Sequence, residues 1–355
     1  MTGPSLGDSL MSATLTTPPD LKVDEEFTRI VNELTRRGLL AGGIAGLAGL
    51  GLAACGGSDG KGHTPSASGS TRTVSSVNGA IAVPANPTRV VTLDGFTMAA
   101  MFDLGAAPIG VYSAGEQYVE PQFVERWRQI PKISDGTVGG AVDLEKVVAL
   151  RPDLILGIDG QKPPYEQLKE IAPTVILPFN ASNAPWRDMA QDTATALGQA
   201  DALATVRKRY TERAAGIKAT YADELGKLRW NLLQGGFDNG QFWLYGAASP
   251  IGGILADAGV KFADASQAVG ATGQQSMSYE TIGKLQNADA IFYYATNTGE
   301  PANLGPQLFA QPLWKTLPAV TTDRLYGTVY FLPSGYSDAL GVLDALEAAL
   351  KKLAA

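Results

Sequence analysis

Two residues with strong nucleophilic or metal-binding chemistry, cysteine and histidine, occur once each in these 355 residues, as Cys55 and His63. One thiol allows no disulfide and no cysteine-rich metal site, and one imidazole allows neither a catalytic triad with a second-site histidine nor the usual zinc or copper centre. The chemistry left is that of carboxylates and aromatic rings. Asp94, Asp159 and Asp238 could act as acid and base, but no pair of them falls in a recognised catalytic motif. Phe96, Tyr112, Phe179, Trp186, Phe237, Trp243, Tyr245, Tyr294 and Tyr336 could instead grip a large, rigid, partly apolar molecule through ring faces, with hydroxyl and indole N–H groups fixing its orientation.

Cys55 has a different use. Arg36 and Arg37 begin a stretch resembling the twin-arginine export consensus, 17 uncharged residues follow, and Leu52-Ala53-Ala54-Cys55 resembles a lipobox, whose cysteine becomes the acylated first residue of the mature chain. A membrane-spanning helix is the competing reading, but it needs roughly 20 strongly apolar residues, and five glycines after Gly38 weaken this segment further. Residues 1–54 are therefore read as an export signal and 55–73 as a Gly/Ser-rich flexible tether, with His63 inside it. The chain carries 35 acidic and 28 basic residues. Six acids and four bases precede Cys55, leaving the mature part at about −5 with no basic run, which argues against a nucleic-acid partner.

The elements that must position these residues alternate between short apolar runs and amphipathic stretches, the pattern of an α/β fold with largely parallel sheets. In a first lobe, 74–185, strands are expected at 89–93, 108–111, 153–158 and 174–179, with helices at 97–104, 144–150 and 165–171. In a second lobe, 228–355, strands are expected at 229–234, 242–245 and 290–294, with helices near 251–258, 279–285 and 337–353. Between them, 186–227 lacks proline and places Leu203, Val206, Tyr210, Ala214, Ile217 and Tyr221 at helical spacing. Its second helix, about 25 residues at 1.5 Å each, would run along both lobes and restrict them to small rocking motions. The fold class is thus two Rossmann-like α/β lobes joined by a long helix, with a ligand cleft between them.

Open α/β sheets bind ligands at the loops that follow strand C-termini. Those loops hold Asp94, Phe96, Tyr112, Asp159 and Phe179 in the first lobe. In the second they hold Phe237, Trp243, Tyr245, Tyr294, Thr296, Asn297 and 331–336, with Trp186 opening the connector. Tyr293 must face away from Tyr294 along the strand.

The motifs PTRVVTL, FDLGAAPIGV, LEKVVALRPDLIL, IAPTVIL, LADAGV, SYETIGKLQNADAIF, PLWKTLPAV and DRLYGTVYF follow one another in the order of a known family. Over residues 75–353 the chain resembles substrate-binding lipoproteins of ATP-driven importers for ferric siderophores, haem and cobalamin. The resemblance implies a bilobed monomer that captures a ferric siderophore and delivers it to a membrane permease, with haem or cobalamin as the alternative cargo and no cofactor. It also implies that one glutamate per lobe docks on permease arginines, at positions matched here by Glu145 and Glu280. Spacing alone gives these two a plainer role, as acids in the first turn of helices capped by Asp143 and Ser278, where each gains about 0.3–1 kcal/mol from the helix dipole.

Cargo charge follows from the scarcity of cations. A tris-catecholate iron complex carries about three negative charges and asks for converging arginines or lysines. Near the expected cleft only Arg126, Arg128, Lys132, Lys162 and Arg187 are found, so a near-neutral hydroxamate or mixed chelate is expected. A hexadentate chelator needs no protein ligand for its iron, so the missing histidines do not weigh against it; ferric haem could be held by a tyrosinate.

Overall fold

The computed structural model describes residues 70–116, 119–137, 140–179 and 185–354. Arg36, Arg37, Cys55 and the export signal lie outside the described residues. The first element is an antiparallel hairpin of β1 (Thr71–Ser76) and β2 (Gly79–Pro84), turned at Gly79 with φ +102°. It grips the first lobe: Val77 N–H donates to the Ile176 carbonyl, and the Arg72 guanidinium reaches the carbonyls of Thr195 and Ala196 on the connector.

The first sheet has the order β4-β3-β5-β6 and is wholly parallel, from β3 (Val90–Thr92), β4 (Gly110–Val111), β5 (Leu154–Ile158) and β6 (Thr174–Leu177). All five residues of β5 are buried, because helices cover both faces. Leu154, Leu156 and Ile158 face one cluster, while Ile155 faces another with Val147 and Leu168.

The second sheet departs from the parallel expectation. Its order is β11-β10-β7-β8-β9, from β7 (Trp230–Gly235), β8 (Gln241–Tyr245), β9 (Gln274–Ser278), β10 (Ala290–Tyr294) and β11 (Leu325–Thr328). The pairs β10–β11 and β10–β7 are parallel, whereas β7–β8 and β8–β9 are antiparallel. Residues 236–240 are too few for a helical crossover, so β8 must fold straight back. Tyr293 and Tyr294 lie on opposite faces, against different clusters.

Between the sheets run helices Pro185–Leu197, Ala200–Thr220 and Ala222–Lys227. Gly198, at φ +71°, breaks the first from the second. The long member has 21 residues, about 31 Å, with Leu203, Tyr210, Ala214 and Ile217 as its buried stripe. It is shorter than expected because the helix breaks again at Tyr221. One core cluster joins Leu156 of the first sheet, Trp186 and Tyr210 of the connector, Leu232 of the second sheet and Leu346 of the closing helix Tyr336–Ala354. This shared packing resists wide opening of the two lobes.

Candidate functional site

A hollow of about 670 Å³ lies between the lobes, walled by Glu116, Val124 and Arg128 on one side and by Tyr294, Thr296, Asn297 and Asn303 on the other. The second wall follows the C-terminal end of β10, where parallel strands leave their loops. A smaller hollow of about 190 Å³ adjoins it, sharing Val119, Tyr294 and Val329 and adding Glu120, Tyr330, Leu332 and Asp338. The aromatic backing is fixed by ring contacts. Tyr294 stacks on Phe331 at 5.9 Å and 27°, and Phe331 meets Tyr245 edge-on at 5.1 Å and 83°. Behind them, the Gln234 side-chain amide donates to the Tyr245 hydroxyl at 2.6 Å and accepts from Asn303 at 3.2 Å, tying buried strand β7 to the cleft wall.

Arg128 is the one arginine among the described residues of these two hollows, and its charge is spent. It holds Glu116 bidentately at 2.6 and 2.9 Å and Glu125 at 2.7 Å, and the Glu116 contact drives its pKa upward. The other expected cations are also committed or displaced. Arg126 lies over the Phe102 ring at 4.3 Å and Lys132 over the Trp127 ring at 3.9 Å, each also donating to backbone carbonyls. Arg187 faces a different groove, and Lys162 caps a single turn, Asp159–Gln161, with left-handed backbone.

Several residues read from the sequence as ligand contacts have other jobs. Asp94 is fully buried and caps helix Gly95–Asp103, accepting from the Thr97 N–H and hydroxyl at 2.8 Å each; burial pushes its carboxyl up to about 6. Trp186 has no exposed surface and meets Tyr336 at 4.9 Å and Tyr210 at 5.8 Å, both edge-on, so it is connector core. Tyr336 is buried with it, its hydroxyl accepting from Arg207. Tyr245 is 3% exposed and supports the wall from behind, its phenol pKa raised by burial. These four are buried and line neither inter-lobe hollow for one reason: a residue at a strand or helix end can plug the core as readily as line the cleft.

The others reach surface. Tyr294 lines both hollows. Phe96 and Phe179 are half-buried and tilted together at 5.0 Å, with Asp159 accepting from the Phe179 N–H at 2.9 Å. Tyr112 is half-buried and donates to the Thr137 carbonyl at 3.0 Å. Trp243 is half-buried, and Phe237, 67% exposed, is the most exposed large apolar side chain described. The two hollows bring Tyr294 together with Thr296 and Asn297; none of Phe96, Tyr112, Asp159, Phe179, Phe237 or Trp243 lines them.

Sequence reasoning missed Glu116, Glu120, Tyr330 and Asp338. The loop after β4 runs from Tyr112 for over ten residues before helix Val124–Arg128, and only Tyr112 of it was taken as cleft; its full length was the available signal. A third hollow, about 680 Å³, sits on the connector, where Arg187 bonds Asp257 at 2.7 Å and Tyr210 donates to the same oxygen at 2.7 Å. Its central charges satisfy one another.

Glu145 and Glu280 are both exposed in first helical turns. Asp143 caps its helix through Lys146 N–H at 3.1 Å. Ser278 makes no such side-chain bond, because its helix, Tyr279–Asn287, is 3₁₀; there the Ser278 carbonyl accepts from Thr281 instead. Among the described residues no cluster of three or more His, Cys, Asp or Glu is placed to hold a metal ion, and no helix is long and apolar enough to cross a membrane.

Comparison with known proteins agrees with this architecture. The chain is 27% identical over 308 residues to the probable siderophore-binding lipoprotein YfiY of Bacillus subtilis, covering 83% of this chain and 93% of that one. It is 26% identical to the iron(3+)-hydroxamate-binding protein YxeB of the same organism, covering 78% and 84%. The siderophore periplasmic binding protein from the fuscachelin gene cluster of Thermobifida fusca superposes with a TM-score of 0.66 at 29% identity, over 76% of this chain and 98% of that one. The periplasmic binding protein family matches residues 90–329, and the chain belongs to that family.

Proposed function

We propose that this protein captures a ferric siderophore in the inter-lobe cleft and delivers it to an ATP-binding-cassette importer, working as a monomer held on the extracytoplasmic face of the cell membrane by a lipid on Cys55. The observation that carries the reading is the cleft itself: a hollow of about 670 Å³, with a stacked Tyr294–Phe331 wall and its single arginine neutralised by two glutamates. The chelator supplies every bond to iron, so the protein supplies ring faces, hydroxyls and amides around its periphery. Relatives named for siderophore and hydroxamate binding support this cargo over haem or cobalamin. Burial adds to that, since it raises the Tyr245 phenol and works against an iron-ligating tyrosinate there. The domain scheme of lobe 74–185, linker 186–227 and lobe 228–355 belongs to the same proposal, as does permease docking through exposed Glu145 and Glu280.

The test is tryptophan quenching by a panel of ferric hydroxamates, a ferric tris-catecholate, haem and cobalamin. Trp127, on the cleft-side helix, and half-buried Trp243 are better placed as reporters than fully packed Trp186 or Trp314. Saturable quenching by at least one uncharged ferric hydroxamate at micromolar concentration is expected. Quenching by haem alone would replace this function with haem capture.

A further inference from the structure

The small hollow off the cleft ends in two carboxyls that belong to different lobes. Glu120 comes from the loop after β4, and Asp338 from the first turn of the closing helix. Asp338 is 1% exposed and accepts from the Gln122 side-chain amide at 2.9 Å and the Ser334 N–H at 2.8 Å. Glu120 lies against Asp338 and Ser334, yet its Oε2 is sealed from bulk solvent with no hydrogen-bond partner. A carboxylate oxygen so placed is costly unless something donates to it.

Nothing basic in the surroundings does so. The titratable groups bearing on the pair are Asp103 and Tyr330, with Gln122 and Ser334 as neutral partners. Asp103 is itself occupied by the Tyr336 and Ser337 N–H groups and the Ser337 hydroxyl. Burial raises the proton affinity of both Glu120 and Asp338, and Asp338 is raised further by the Glu120 charge beside it. Neighbouring carboxyls resist ionising together, and a cation in the hollow beside them, whose other walls are Val119, Tyr294, Val329, Tyr330, Leu332 and Ser334, would favour the ionised form. No metal cluster is formed by these acids, which directs attention to an organic cation.

Given the reading of the cleft as a siderophore site, we propose that the Glu120–Asp338 pair is an ammonium-binding subsite, and that the preferred cargo is a ferric chelate carrying a protonated aminoalkyl arm. The volume of about 190 Å³ equals the liquid volume of roughly six waters at ~30 Å³ each, enough for a short alkylammonium arm and too small for the chelated iron, which stays in the larger hollow. Tyr294 and Tyr330 line the approach, and their faces suit a cation. Arg128 leaves the neighbouring hollow no free positive charge to oppose it.

Two probes decide the matter: ferrioxamine B, a ferric trihydroxamate with one free primary amine, and its N-acetylated derivative, which differs only in lacking that charge. At pH 7.5 the wild-type protein should bind the amine form at least 10-fold tighter, and the preference should shrink as pH falls and Glu120 gains its proton. In Glu120→Gln the ratio of the two affinities should collapse toward one. Equal affinities in wild type, or tighter binding of the acetylated form, would overturn the ammonium subsite while leaving the siderophore cleft standing. Binding of neither probe would overturn both. Should Glu120→Gln fail to fold, the wild-type ratio and its pH dependence still decide.

Discussion

Replacing Trp186 by alanine separates a core role from a binding role at a residue whose aromatic character suits either. The side chain has no exposed surface and meets Tyr336 at 4.9 Å and 88° and Tyr210 at 5.8 Å and 72°. Truncating a buried tryptophan costs about 3–5 kcal/mol. Each edge-to-face contact contributes about 0.5–1.5 kcal/mol beyond its area; because the truncation range already includes such contacts, they place this site near about 4–5 kcal/mol rather than adding to it. At roughly 2–4 °C per kcal/mol for a folded region of this size, the melting midpoint should drop by about 8–20 °C. Urea titration and calorimetry measure the loss, and equilibrium titration with a ferric hydroxamate well below the new midpoint measures binding. Binding should stay within about threefold, since Trp186 lines neither inter-lobe hollow. A tenfold loss of affinity with an unmoved midpoint would show that the ring contacts ligand and that the packing described here is not what it does.

Tyr294→Ala should do the opposite, weakening ferric hydroxamate binding by about 10-fold, the loss of one good ring-face contact, while costing at most about 1–2 kcal/mol of stability from the Phe331 stack; unaltered titration curves would remove Tyr294 from the site. Asp94 holds its proton up to about pH 6 in the fold but gives it up near pH 4 when unfolded, so folding binds a proton in that window and stability falls as pH rises through it. That contribution is about 3 kcal/mol at 1.36 kcal/mol per pH unit, and Asp94→Asn should flatten the slope of unfolding free energy between pH 4 and 6; Asp103, Glu120 and Asp338 add to the slope in the same direction, so an unchanged profile would acquit Asp94 alone. Glu145→Lys combined with Glu280→Lys should leave chelate affinity intact and abolish iron uptake by cells. Normal uptake by that double variant would end the docking assignment.

The lobes were legible because strands such as Leu154–Ile158 and Ala290–Tyr294 are short continuous apolar runs, and because Asp143 punctuates its helix in a way the backbone requires. The β1–β2 hairpin was not, since Thr71–Ser76 has a single buried residue, Val74, and its first three residues fall in the stretch read as tether. Strands β9 and β11 hid for the same reason, being mostly exposed or half-buried. For the site, strand-end logic picked out Tyr294, Thr296 and Asn297, which line the inter-lobe hollow, yet it could not tell which aromatic turns inward. Tyr245 and Trp186 have the same composition signal as Tyr294 and differ only in what packs over them. Glu120 and Asp338 are 218 residues apart and carry no joint pattern; only the fold sets them side by side.

Hydrogen–deuterium exchange of the full chain, with and without a saturating ferric trihydroxamate, tests most directly whether the inter-lobe hollow is where cargo sits. Protection should concentrate in 112–128, 294–304 and 329–338, one segment from the first lobe and two from the second. Protection confined to 187–218, around the connector groove of Arg187 and Tyr210, or none anywhere, would contradict capture between the lobes.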